Sequence, residues 1–184
     1  MSRMPLIDPA TATGKAAEQL TSTQRALGAT PNFARAMANS PSALQGYLGL
    51  STALREGVLP AGMRERIALA MAELNGCHYC LSAHTQLAPR LAKLTTEEIE
   101  AARRGTSSDP KAAAVLRLAV EIAGNRGRVG DDALADARAA GLTDEEIVEV
   151  IANVVQNLFT NYLNEVLDVE VDFPLVTPYG HAEV

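Results

Sequence analysis

Apolar positions recur along this chain at intervals of three and four, and Gly, Pro and Asn interrupt them at regular distances. That spacing is the mark of amphipathic helices joined by short turns. A first helix is predicted over about 13–27, ending near Gly28. "TPNFARAMANSP" reads as a short second helix with Pro31 in its first turn, stopped before Pro41. The next segment places Leu44, Tyr47, Leu48 and Leu54 at helical spacing and closes at Gly57. "LPAGMRERIALAMAELNG" carries a stripe of Met63, Ile67, Ala70, Met71 and Leu74, and Asn75-Gly76 is a C-terminal stop for it. A further helix starts at or just before Cys77, with Pro89 near its end.

Two later helix starts carry capping boxes, Thr95 with Glu98 and Thr143 with Glu146. The phrases "LTTEEIEAA" and "LTDEEIVEV" resemble each other, as a weak repeat or as convergent capping. "DPKAAAVLRLAVEIAGNRG" and "GDDALADARAAG" lie between them and are helical by pattern. The last helix, about 144–167, is apolar around much of its circumference through Ile147, Val150, Ile151, Val154, Val155, Leu158, Phe159 and Leu163. Such a helix is buried on most sides, in the core or at a subunit interface. It also bears Asn153, Asn157 and Asn161 four residues apart, a polar stripe that either meets a neighbouring helix or lines a site. No strand pattern stands out. The expectation is an all-α fold, one helical domain over 1–184, with a core motif at 63–86 and a proline-broken tail at 170–184 whose apolar residues clip onto a neighbour.

Composition narrows the function. The 184 residues are 47% hydrophobic and 21% charged, which suits an ordinary folded domain. Aromatics are scarce and Trp is absent. A net charge of −6 argues against non-specific nucleic-acid binding. No run of 18 apolar residues exists to span a membrane. The N-terminal stretch lacks the apolar core of a signal peptide, so a cytoplasmic location is expected. No Gly-rich phosphate loop is visible, and no organic cofactor is expected.

All the sulfhydryl chemistry sits in "ELNGCHYCLSAHT". Cys77 and Cys80 are three apart, and His84 is four beyond Cys80, so all three share one helical face. If Asn75-Gly76 ends one helix, both cysteines fall in the first turn of the next. Unpaired N–H groups and the positive end of the helix dipole favour a thiolate there. A partner at i, i+3 can then close a disulfide on an oxidised sulfur. Two other readings stand beside this redox one. The cysteines could be simple core residues. Alternatively Cys77, Cys80 and His84 could hold a metal with Glu65 or a water as fourth ligand, although zinc sites usually draw on a second Cys or His cluster and none is present. His78 points off the shared face and is expected to be exposed, and His181 in the tail is expected to take no part. Glu65 shares a face with Leu69 and Ala72; taken alone, between Arg64 and Arg66, it reads as a salt-bridged surface carboxylate.

The run "RERIALAMAELNGCHYCLSAHT" resembles the core motif of the alkylhydroperoxidase D / carboxymuconolactone decarboxylase family: Glu, eleven residues, Cys-x-x-Cys, three residues, His. The motif maps onto Glu65, Cys77, Cys80 and His84 without a gap. Preceding text, "PNFARAMANSPSALQGYLGLSTALREG", resembles that family's peroxidase-related branch, and the likeness covers about 28–170. The resemblance implies an all-helical fold of the alkylhydroperoxidase D type and thiol-dependent reduction of an organic hydroperoxide or hydrogen peroxide. It makes Cys80 the peroxidatic nucleophile and Cys77 the resolving thiol, with Glu65 and His84 as a proton relay. An external dithiol would restore the pair, a lipoyl group being one form. The family's oligomers imply a homo-oligomer here, whether dimer, trimer or hexamer. One departure is plain: the family's best-known hydroperoxidases carry His just before the second cysteine, and this chain has Tyr79. A phenol of pKa about 10 donates a hydrogen bond but does not relay a proton near neutral pH. Weaker peroxidase activity or a different substrate is therefore expected. Decarboxylase members generally lack the cysteine pair, so lactone decarboxylation is not expected. The alternative from another class is a non-enzymatic helical oligomer that senses redox state or binds a metal through the same residues.

Overall fold

A computed structural model describes residues 2–180. Among them the regular structure is helical throughout: α1 (Gly14–Leu27), α2 (Asn32–Met37), α3 (Pro41–Arg55), α4 (Ala61–Leu74), α5 (His78–Leu91), α6 (Thr96–Arg103), α7 (Pro110–Gly124), α8 (Asp131–Ala139) and α9 (Asp144–Leu167). This is the all-α fold the sequence predicts. The punctuation acts locally as expected. Gly28 ends α1 in the left-handed region at φ 75°. Pro31 stands one position outside α2, as its N-cap rather than inside its first turn. Ser40 caps α3, with Pro41 opening the helix. Both capping boxes are formed, Thr95 with Glu98 at α6 and Thr143 with Glu146 at α9. The two similar phrases are thus two helix starts.

At the centre lies α4, packed against α5, α6, α7 and α9. Its middle six residues, Ile67 to Ala72, are all buried. The five-residue stripe read from the sequence is therefore corrected at both ends and in the middle. Leu74 is 44% exposed and Met63 half-buried, whereas Ala68, Leu69 and Ala72 are buried outside the stripe. A stripe assumes one covered face, and four neighbouring helices cover this one all round. Leu20, Ala34, Met37, Ala38 and Leu44 build a second, smaller core where α1, α2 and α3 meet, and Phe33 touches both cores.

The inward face of α9 carries Ile147, Val150 and Val154 toward the core, followed by Asn153, Asn157, Thr160, Asn161 and Asn164, all buried. Its other side exposes Val148, Ile151, Val155, Phe159, Tyr162 and Val166. The chain's own core thus covers only one side of α9. After α9 the chain runs without regular structure and packs Val169, Val171, Phe173 and Val176 onto its own core. Arg103 of α6, itself buried, pairs with Glu73 at 2.8 Å and donates to the carbonyl of Thr177 at 3.0 Å. No helix among the described residues is long and apolar enough to cross a membrane. His181 lies outside the described residues.

Candidate functional site

The turn between α4 and α5 sets the geometry. Asn75 ends α4, and Gly76 takes φ 65°, a conformation that costs a Cβ-bearing residue energy and glycine little. The Gly76 N–H then donates to the Glu73 carbonyl at 3.1 Å and the Cys77 N–H to the Ala72 carbonyl at 2.9 Å. This paired closure is a Schellman motif, and it spends the last carbonyls of α4. Cys77 emerges as the N-cap of α5, and its sulfur accepts from the Cys80 N–H at 3.4 Å. One cysteine thus caps the helix on whose first turn the other stands. Both are free thiols and buried, at 0% and 4% exposure.

Their environments drive the two thiols apart. The Cys77 thiol is held far above its ordinary value, first because its hydrogen is shared with Cys80 and then because it is buried. Cys80 is pulled down to about 7, first by that same hydrogen bond. Burial opposes ionisation of Cys80, while the charge on His84 and the amides of Asn164 and Asn161 favour it. The arrangement favours a protonated Cys77 that donates to Cys80 and a Cys80 that ionises near neutral pH, and a thiolate is the reactive form of cysteine.

His84 stands one turn further along α5 and hydrogen-bonds through Nδ1 to Glu65 Oε2 at 2.9 Å. A carboxylate only accepts, so Nδ1 carries the proton. Burial works against the imidazolium, but the charge and hydrogen bond of Glu65 outweigh it and raise the His84 pKa. Glu65, its side chain 13% exposed, is not the salt-bridged surface carboxylate it reads as when taken alone. Its flanking arginines look elsewhere, Arg66 to Glu98 at 2.6 Å and Arg64 to the Leu59 carbonyl, which leaves Glu65 to His84. The four motif residues are thus brought together from α4 and the start of α5.

Tyr79 is placed differently. Its buried hydroxyl donates to Asp172 Oδ1 at 2.6 Å and accepts from the Phe33 N–H at 3.2 Å, and its ring meets Phe33 and Phe173 edge to face. Burial first, then Asp172, push its pKa further up. Tyr79 therefore clasps the C-terminal tail. Ser82, one turn on, accepts from the Val176 N–H at 2.9 Å and fastens the same segment. His78 is half-buried, not exposed as expected.

Asn164 escaped the sequence reading. It donates from Nδ2 to Cys80 Sγ at 3.2 Å. The stripe at 153, 157 and 161 was visible, and Asn164 extends it by one further helical step of three, which is the signal that could have found it. Asn161 Oδ1 accepts from Asn75 Nδ2 at 2.9 Å, so the stripe reaches the cysteine turn as well as a neighbouring helix. Tyr47 of α3 also feels the site: burial first and then the charge of Cys80 push it up to about 12. Among the described residues, no cluster of three or more His, Cys, Asp or Glu side chains has metal-holding geometry. An open groove of about 690 Å³ between α1 and α3 is bordered by Glu18, Gln45 and Thr52 and does not include the cysteines.

Residues 41–124 match the model of the carboxymuconolactone decarboxylase family, a span that contains Glu65, Cys77, Cys80 and His84. No curated protein matches the chain. Among solved structures, one is an alkylhydroperoxidase AhpD core, an uncharacterized peroxidase-related protein from Ralstonia eutropha JMP134. It superposes with a TM-score of 0.81 at 22% identity, over 93% of this chain and 92% of that one. A peroxidase-related protein from Silicibacter sp. TM1040 gives 0.77 at 20% identity, over 91% and 88%. The debrominase Bmp8 gives 0.73 at 20% identity, over 86% of each chain. At these identities the likeness is one of fold.

Proposed function

We propose, for a chain that belongs to the carboxymuconolactone decarboxylase family, a thiol-dependent reductase of hydroperoxides. The observation that carries this reading is the division of labour between the two thiols, with Cys80 pulled down and Cys77 pushed up at one helix start. Thiolate Cys80 attacks the terminal oxygen of ROOH. A sulfur–oxygen bond forms, the O–O bond breaks, and the alkoxide leaves with a proton from His84, which Glu65 holds in place. Cys77 then attacks the sulfenic acid, water departs, and a Cys77–Cys80 disulfide closes. An external dithiol, with a lipoyl group as one form, returns both thiols by exchange through a mixed disulfide. The reading includes a homo-oligomer, supported by the apolar outer side of α9.

Turnover of cumene hydroperoxide with dihydrolipoamide tests the assignment, together with peptide mass mapping after peroxide. The expected result is steady turnover and a Cys77–Cys80 disulfide in wild type, with neither in Cys80→Ser. Stoichiometric metal that is lost in Cys80→Ser would defeat it. Since a structural relative is a debrominase, a brominated aromatic is assayed in parallel, and its exclusive turnover would displace the peroxide. Burial of both sulfurs favours a second reading, a redox sensor, because it hinders attack by an external dithiol. Oxidation that stops after one equivalent with every dithiol tried would select the sensor.

A further inference from the structure

Two buried polar atoms at the Cys80 side of α9 have no hydrogen-bond partner: Asn161 Nδ2 and Asn164 Oδ1. Their residues are 0% and 3% exposed. Buried amide groups without partners cost stability, and native folds rarely leave two side by side. The neighbouring contacts fix which end of each amide is free. Asn75 Nδ2 donates to the Met71 carbonyl at 2.8 Å and to Asn161 at 2.9 Å, so Asn161 must turn its oxygen to Asn75 and leave its Nδ2 unused. Asn164 gives Nδ2 to the Cys80 sulfur at 3.2 Å, and the reverse orientation would set a carbonyl oxygen against a thiolate. Asn161 Nδ2 lies close enough to favour the Cys80 thiolate yet makes no hydrogen bond of normal geometry to it, so the sulfur has beside it one under-used donor and one spare acceptor.

A hydroxyl oxygen joined to sulfur has the complementary needs, since it accepts one hydrogen bond and donates another. We propose that Asn161 and Asn164 form the receiving site for the oxygen that Cys80 takes from its substrate. Asn161 Nδ2 donates to that oxygen, and Asn164 Oδ1 accepts from its O–H. This rests on the peroxide reading. The electron count is that of the attack described above: the sulfur loses two electrons, the O–O bond gains them, and the leaving alkoxide is protonated. The hydrogen on the transferred oxygen stays where it was, so Asn164 holds the same O–H before and after transfer. The site therefore requires a terminal O–OH. Hydroperoxides and hydrogen peroxide fit, and dialkyl peroxides do not. Asn75 is a positioning residue that acts through Asn161.

The test uses full-length Cys77→Ser protein, in which the sulfenic acid persists. The rate of oxygen addition to Cys80 by cumene hydroperoxide is followed by intact mass, and the rate of iodoacetamide alkylation reports thiolate reactivity without an oxygen to receive. Asn161→Leu removes the donor. Asn161→Asp removes it too but keeps an oxygen for Asn75. In both, the ratio of oxidation to alkylation rate is expected to fall about tenfold, as when one hydrogen bond to the reacting oxygen is lost in the transition state. A ratio within about twofold of the parent in both variants overturns the inference. So does a loss confined to Asn161→Leu, because the effect would then belong to the Asn75 contact. Thermal melts identify a variant that fails to fold; if Asn161→Leu fails, Asn161→Asp decides alone, and if Asn161→Asp fails, Asn161→Thr, whose oxygen can accept from Asn75, replaces it. A Cys77→Ser parent that forms no sulfenic acid at all defeats the peroxide reading itself, a result distinct from either of these.

Discussion

Cys80 and Cys77 carry the same functional group, yet their surroundings give them opposite tendencies. The pair shares one hydrogen, and His84 with Asn164 tips that hydrogen toward Cys77. A depressed pKa means that the Cys80 thiolate appears as pH rises through about 7 and is lost below it. Alkylation of Cys80 should follow that curve. His84→Gln removes the imidazolium, so the inflection should move up toward the ordinary thiol value of about 8.5, as measured by iodoacetamide rate against pH. An unmoved inflection would show that His84 does not stabilise the thiolate. Tyr79 acts on a different scale from its neighbour in sequence. Tyr79→Phe takes the hydroxyl from both Asp172 and the Phe33 N–H. It should cost about 1–2 kcal/mol of stability by denaturant titration and raise hydrogen exchange in the 170–179 segment. The Cys80 alkylation curve should hardly change, whereas a Tyr79 that relayed protons to the sulfur would shift it.

Helix ends decide where these residues stand. The Schellman closure at Gly76 lets α5 begin within a few residues of the end of α4, and that close return brings Glu65 and His84 together across two helices. A side chain at Gly76 would strain the left-handed backbone. Gly76→Ala should therefore destabilise by about 1 kcal/mol and also lower Cys80 reactivity, in melting and alkylation measurements respectively. Thr143→Ala is the contrasting case. It breaks a capping box remote from the cysteines and should cost about 1 kcal/mol with no change in thiol reactivity. These ends were legible because a cap is a local device: Gly28, Thr95 and Thr143 each act within one turn. The stripe on α4 was legible only in part. Leu74 is exposed and Ala68 buried because the number of helices surrounding α4 is not written in its own periodicity.

Across the whole molecule, α9 is two-sided. Its inner side supplies amides to the cysteine turn, and its outer side leaves Val148, Val155, Phe159, Tyr162 and Val166 exposed along the helix. If that side is the oligomer interface, Val155→Glu should lower the apparent mass by light scattering toward the 19.4 kDa of one chain. Unchanged mass would place any interface elsewhere. The sequence by itself determined the helices, their caps and the spacing that puts Cys77, Cys80 and His84 on one face, because each depends on residues within a few positions of one another. Only the tertiary structure decided that Glu65 serves His84 rather than its flanking arginines, that Tyr79 clasps Asp172, and that Asn164, 84 residues after Cys80, donates to its sulfur. Those partners meet through packing between helices, and no local period records which helix lies opposite.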